Sequence, residues 1–283
     1  MAGNFDPRIT PARPDLAAAF LKGKVDAARF VEGEEASICI GRASLRASPG
    51  DDAAQDSELL YGERVIVYER SNGWAWAQAA NDFYVGYVRE DALIAPFMPE
   101  LRVHALMTPV YRASDLKSPV RDFLPLNAEV GVLARDGDYL AIAPGTYVHR
   151  RHLALPSERE SDFVSVAERF IGAPYVWGGK TFAGLDCSGL VQTALQACGI
   201  KAPRDTDMME ASLGVRVAPN DLRRGDLVFW KGHMGVMRNA ETLLHANAFH
   251  MEVFSEPVTE AIARIAQAGF PVTSVKRLIP PCP

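Results

Sequence analysis

Apolar positions fall in two rhythms along this chain. From about residue 31 to 155 they come as short runs separated by turn residues, as in Arg64-Val65-Ile66-Val67-Tyr68, Gly73-Trp74-Ala75-Trp76 and Val85-Gly86-Tyr87-Val88. That is the signature of strands, and Ser71-Asn72-Gly73 between two of them predicts a hairpin. From about residue 157 the rhythm becomes helical and then returns to strands. Ser157 or Ser161 caps an expected helix with Phe163, Val166, Ala167, Phe170 and Ile171 on its apolar face, stopped by Gly172 and Pro174. A second helix is expected from Asp186-Cys187-Ser188 to Gly199. Strand-like runs follow at 226–230, 234–238, 242–245, 251–254 and 272–275, and Pro257 starts a helix through Ile262 and Ile265. Helices followed by an antiparallel sheet give an α+β fold for this part.

The β region repeats loosely. Glu63-Arg64-Val65-Ile66-Val67 is echoed by Ala128-Glu129-Val130-Gly131-Val132, and Gly86-Tyr87-Val88-Arg89 by Thr146-Tyr147-Val148-His149. The organisation read from this is an N-terminal extension (1–30), a first small β-barrel (31–96), a second (97–156) and the α+β domain (157–283). A single larger β domain is the alternative to two barrels. In the extension, Pro7, Pro11 and Pro14 prevent an early helix; Asp15 can cap a short one from Leu16 to about Phe30, with Leu16, Phe20 and Leu21 on its apolar face, and the preferred reading is a surface segment docked on a neighbouring domain.

Composition narrows the class. The 283 residues are 48% apolar and 23% charged, as in ordinary globular proteins, and the net charge of -5 offers no broad cationic surface for nucleic acid. None of Cys39, Cys187, Cys198 and Cys282 forms a CxxC pair, which argues against a zinc ribbon. The early residues lack the apolar core, roughly 7–15 residues long, of a secretory signal. No apolar run approaches the ~18 residues of a transmembrane helix. A cytoplasmic protein without membrane insertion is therefore expected.

Chemistry concentrates in three segments. Gly184-Leu185-Asp186-Cys187-Ser188-Gly189 puts a cysteine at a helix start, where the helix dipole favours thiolate and the first backbone N–H groups can hold an oxyanion. Lys231-Gly232-His233-Met234 places a histidine at a strand start in a glycine-flanked turn, and Leu243-Leu244-His245-Ala246 places another on the next strand. One of the two is suited to act as base and the other to orient it. His149 and His152 lack a further ligand in the sequence, so no metal site is expected there.

These segments, with Tyr175-Val176-Trp177-Gly178-Gly179, Pro203-Arg204-Asp205-Thr206 and Arg224-Gly225-Asp226-Leu227, resemble the NlpC-type cell-wall peptidases, which are papain-like cysteine peptidases. The resemblance covers about 160–283. It implies Cys187 as nucleophile, His233 as base, His245 as third polar residue and Tyr175 beside the nucleophile. Two positions depart from the family: Met208 or Met209 stands for an expected glutamine, and Met237 for the usual tyrosine.

The β modules in turn resemble bacterial SH3-like domains that precede an NlpC-type domain in γ-D-glutamyl-L-diamino acid endopeptidases. That implies murein-derived peptides with a free N-terminal L-Ala as substrate, peptide recycling as the setting, and no cofactor. The amine-binding positions it implies are Asp186 and Ser188, with Glu63 and Tyr84 (Tyr87 as alternative) from the first barrel. An exported hydrolase of intact wall and a non-catalytic murein-binding module are the competing readings.

Overall fold

The computed structural model describes residues 5–279, so Cys282 lies outside the described residues. The chain divides into two compact units, at Glu158/Arg159.

In the first unit, a seven-stranded antiparallel sheet runs in the order Gln55–Leu60, Arg42–Arg46, Val85–Arg89, Trp74–Ala79, Arg64–Ser71, Glu34–Ile38, Leu93–Ile94. The expected hairpin is present. Asn72 (φ 52°) and Gly73 (φ 78°) carry the chain round between Arg64–Ser71 and Trp74–Ala79, and two successive positive φ values match the right-handed twist of the strands. Alternate residues of this sheet, among them Ile38, Leu45, Val65, Ala75 and Val88, fill one core. A five-stranded sheet (Val120–Pro125, Met107–Tyr111, Thr146–His149, Tyr139–Ala143, Ala134–Asp136) and a three-stranded one (Glu129–Val130, Leu101–Val103, Leu153–Ala154) enclose a second core around Val103, Leu124, Val130 and Val148. Tyr61 packs into that second core and its carbonyl accepts from Glu129 N at 2.9 Å. Gly62 (φ 82°) is required there, since a Cβ would lie 2.0 Å from the Glu129 carbonyl oxygen.

The extension is not the helix its pattern suggests. Leu16–Ala18 is a strand paired in parallel with Arg29–Val31, and only Ala19–Leu21 makes a 3-10 turn. All three residues of Leu16–Ala18 are buried, against Leu21, Tyr68 and Trp76 among others. A helix exposes one face of such a run, whereas an extended segment closing over the barrel covers it completely. Gly23, at φ 79°, also interrupts any longer helix.

The second unit places a buried helix against an antiparallel sheet. Helix α1 (Phe163–Glu168) is capped by Asp162, whose Oδ1 accepts from Val164 N at 2.9 Å, rather than by either serine. Helix α2 (Cys187–Ala197) is buried on every side except at Gln196. A helix buried on nearly all sides belongs in a core, and its buried polar residues are bonded there, Thr193 Oγ1 to the Lys180 carbonyl at 3.0 Å and Gln192 Nε2 to the Ala202 carbonyl at 3.1 Å. Helix α3 (Thr206–Ser212) follows. The sheet contains β1 (Val215–Arg216), β2 (Leu227–Trp230), β3 (His233–Met237), β4 (Thr242–Asn247), β5 (Glu252–Pro257) and β6 (Val272–Arg277), in the order β1-β6-β2-β3-β4-β5. Helix α4 (Val258–Gln267) begins directly after Pro257 and buries Val258 and Ala261. The start of α2 passes very close to the Gly178-Gly179 loop: a Cβ on Gly189 would fall 2.1 Å from the Gly179 carbonyl oxygen.

Candidate active site

Cys187 is the first residue of α2 and only 5% exposed. Asp186, extended at φ -94°, is the N-cap, and its Oδ1 accepts from Gly189 N at 2.7 Å. Asp186 does more than cap. Its Oδ2 accepts from Gly178 N at 2.8 Å, tying the glycine loop to α2. The guanidinium of Arg204, 1% exposed, pairs with both carboxylate oxygens at 3.0 and 2.6 Å, and Ser188 Oγ donates to Oδ1 at 3.2 Å. Arg204 also donates to Ser188 Oγ at 2.8 Å. The carboxylate expected to receive a substrate ammonium thus has both oxygens bonded within the protein, and Ser188 shares the same network. Arg204 belongs to the Pro203-Arg204 motif, but its partners lie 16 and 18 residues away and only the fold brings them together.

The two histidines meet as expected. His233 opens β3 opposite Trp230 of β2, and His245 lies on β4. Their rings are 5.1 Å apart between centroids, with His233 Nε2 2.9 Å from His245 Nδ1. His245 Nε2 in turn lies 2.7 Å from Glu256 Oε1 on β5. Arg264 of α4 bonds both oxygens of Glu256, at 2.6 and 2.5 Å. Glu256 is ionised: despite burial, hydrogen bonds from Arg264 and His245 bring its pKa down to about 2. An ionised carboxylate only accepts, so His245 Nε2 carries a hydrogen, its Nδ1 is the acceptor and His233 Nε2 is the donor. This leaves Nδ1 of His233 for the sulfur. Glu256 and Arg264 were not evident in the sequence. The period of β5 and the Pro257 helix start place them in the same neighbourhood, but nothing local marks their ion pair.

The electrostatics correct one expectation. A helix N-terminus was expected to favour thiolate at Cys187. Burial, and then the neighbouring Asp186 charge, instead push the thiol up to about 12, outweighing hydrogen bonds from the Met234 and Ser188 backbone and the Arg204 charge. Burial, followed by His245 and Arg264, pulls His233 down to about 3. At rest the Cys187 thiol and the His233 imidazole are therefore both neutral.

Tyr175 lies near Cys187: burial first, and then Cys187 and Asp186, raise its phenol pKa. Its backbone N donates to the Met251 carbonyl at 2.9 Å, and it bridges to Leu185, two residues before Cys187. In the first unit, Glu63 is 2% exposed and accepts from Leu60 N at 3.2 Å, while Tyr84 is 5% exposed and packs within the barrel core. Tyr87 accepts from Arg13 at 2.7 Å.

Among the described residues, one group of three side chains has metal-ligand spacing: atoms of His245, His250 and Glu256 lie within 4.8 Å of one another. Both Glu256 oxygens are engaged by Arg264, and His250 stacks on Phe254 at 3.9 Å. A cation entering here has to displace a guanidinium. His149 and His152 are occupied separately, His149 by Arg151 N and His152 by Thr108 Oγ1 at 2.7 Å.

A buried helix that starts at a cysteine and packs on an antiparallel sheet carrying a histidine pair backed by a carboxylate is a papain-like arrangement. Sequence comparison makes this specific. The NlpC/P60 family profile matches residues 172–267, and that of the bacterial dipeptidyl-peptidase Sh3 domain matches 45–93. The chain carries an NlpC/P60 domain preceded by an SH3 domain of that kind. A gamma-DL-glutamyl hydrolase of Bacillus subtilis is 38% identical over 113 residues, 36% of this chain and 27% of that protein. A gamma-D-glutamyl-L-lysine dipeptidyl-peptidase of Bacillus cereus is 26% identical over 205 residues, 64% of this chain and 61% of that protein. The chain thus spans only about a quarter and three-fifths of these relatives. The crystal structure of an NlpC/P60 family protein from Bacillus cereus shares the fold, with TM-score 0.73 and 18% identity over 87% of this chain and all of that one.

Proposed function

We propose that this protein is a γ-D-glutamyl-L-diamino acid endopeptidase acting on murein-derived peptides with a free N-terminal L-Ala. The observation that carries the chemistry is the hydrogen-bonded line from His233 through His245 to Glu256, beside a cysteine at a helix N-terminus. The substrate class is supported by the names of the relatives and by the kind of SH3 domain present. We take 97–156 as a second SH3-like barrel. The setting we propose is cytoplasmic recycling, because a free L-Ala amine belongs to peptides already released from the glycan.

In this reading Cys187 Sγ attacks the γ-carbonyl carbon of D-Glu while its proton passes to His233 Nδ1. Backbone N–H groups at the start of α2 receive the oxyanion. Collapse of the tetrahedral species breaks the C–N bond. The diamino acid amine leaves with the proton from His233, and a thioester remains on Cys187. Water then adds to the thioester, giving its proton to His233. Collapse of this second tetrahedral species breaks the C–S bond, the sulfur takes the proton back from His233, and L-Ala-D-Glu leaves. Because the Asp186 and Ser188 side chains are bonded to Arg204, we assign them to placing α2 and the glycine loop.

Incubation with L-Ala-γ-D-Glu-diaminopimelate, read by mass spectrometry, tests the reading. The expected products are the dipeptide and free diaminopimelate. Release of alanine, or an unchanged peptide, overturns it.

A further inference from the structure

The base that faces Cys187 must carry no hydrogen on Nδ1, and nothing on His233 itself fixes that. An isolated neutral imidazole exchanges its hydrogen between its two nitrogens. The choice here is made two residues further out. Glu256 lies on β5 diagonally from His245, whose direct partner across the strands is Phe254. Its Oε1 meets His245 Nε2 at 2.7 Å, deep in the fold, with His245 1% and Glu256 5% exposed. Arg264 clamps the carboxylate in a two-point fork, and its guanidinium is itself stacked over the Phe249 ring at 4.4 Å. The fork fixes which way the carboxylate faces, because Arg264 reaches it from α4, one helix after the strand that carries it.

We propose that Glu256, clamped by Arg264, is a positioning residue that sets the tautomers of both histidines and thereby reserves His233 Nδ1 for the proton of Cys187. This rests on the reading of His233 as the base. The logic is a chain of obligatory directions. Glu256 only accepts, so His245 donates from Nε2. His245 then only accepts at Nδ1, so His233 donates from Nε2. Reversing any member reverses the whole line and puts a hydrogen on the wrong side of His233. Once His233 is protonated, the same line connects the imidazolium to a negative charge without moving a further proton. A purely structural Glu256–Arg264 pair would hold β5 to α4 and leave the tautomers to chance.

The test joins two readouts on the full chain. In ¹⁵N-histidine-labelled enzyme, long-range ¹H–¹⁵N spectra assigned by single substitutions report which nitrogen of each imidazole bears hydrogen. The wild type should show Nε2–H at both His233 and His245. In Glu256→Ala that pattern should mix, and kcat on the peptide should fall by ~10²–10⁴-fold with little change in KM, the range expected for losing acid–base function. Glu256→Asp keeps the charge but draws the carboxylate back by one bond length, and should lose both to a lesser degree, which serves if the alanine variant does not fold. Wild-type tautomers together with wild-type kcat in a folded variant would overturn the proposal. So would a tautomer change that leaves kcat intact. Either result leaves Cys187 and His233 standing, whereas an active Cys187→Ala enzyme would remove the reading beneath them.

Discussion

Asp186, next in sequence to the proposed nucleophile, is bound at both carboxylate oxygens by the buried guanidinium of Arg204, at 3.0 and 2.6 Å. The pair joins three features that chemistry at Cys187 requires. It caps α2, anchors the glycine loop through Gly178 N, and places a compensated negative charge beside the sulfur. It also accounts for the resting thiol, since burial and Asp186 oppose ionisation more strongly than Arg204 favours it.

Arg204 should therefore be costly to remove. Arg204→Leu leaves the Asp186 carboxylate buried without its cation, and breaking a buried pair from one side typically costs ~3–5 kcal/mol. Urea titration of the wild type and the variant measures it. A loss below about 1 kcal/mol, the range of exposed pairs, would show that the pair is well solvated.

The two histidines should differ in what their loss does. His233→Ala removes the acid–base group and should lower kcat/KM the most. His245→Ala acts through its neighbour and should fall within ~10²–10⁴-fold. His245→Asn, which retains an acceptor for His233, should recover part of the rate. Equal inactivity of His233→Ala and His245→Ala, with no recovery in the asparagine variant, would mean the roles are wrongly divided.

Acid should weaken this domain over a defined range. His233 is held at about 3, below the ordinary 6.5, and His245 is also lowered, both primarily by burial. Glu256 is held at about 2 against 4.5. Between the folded and unfolded values the unfolded chain binds the extra protons, so stability is full above 6.5 and declines as pH falls towards 3. Cys187 has the opposite sign: its raised pKa costs stability as pH climbs from 9.0 towards about 12. Thermal melts at successive pH values should show both flanks, and His233→Gln should flatten the decline between 6.5 and 4.5. Identical melting points at pH 7 and pH 5 would contradict the shifts.

The proposed free-amine requirement is a matter of kcat/KM for two peptides. Truncating one partner of a buried charged pair typically costs ~2–5 kcal/mol, roughly 30-fold to several thousand-fold. N-acetyl-L-Ala-γ-D-Glu-diaminopimelate should be poorer than the free peptide by a factor in that range. Equal values for the two peptides would indicate an open pocket and a general wall endopeptidase.

Much of the site was legible because its chemistry is local. The cysteine, its glycines and its cap lie within six residues, and both histidines sit on adjacent strands of a hairpin-like run, so periodicity alone brings them together. Glu256, Arg264 and the pairing of Arg204 were not legible, because they depend on which strand lies beside which and on how α4 returns across β5. The misjudged thiol has the same origin. A helix start is visible in sequence, but the burial that outweighs it is a property of the packed unit. Only the helix weighed for the extension fails, for a further reason: Leu16, Phe20 and Leu21 fit a helical face, yet Leu16–Ala18 is extended and buried at every residue.

The most direct test of the central claim compares turnover of L-Ala-γ-D-Glu-diaminopimelate by the wild type, Cys187→Ala and Cys198→Ala. Cys198 follows α2 as its C-cap, away from the site at the other end of the helix, and its variant should retain activity at some cost in stability. Diaminopimelate release by the wild type and by Cys198→Ala, and none by a folded Cys187→Ala protein, is the expected result. Release at the wild-type rate from Cys187→Ala would contradict it.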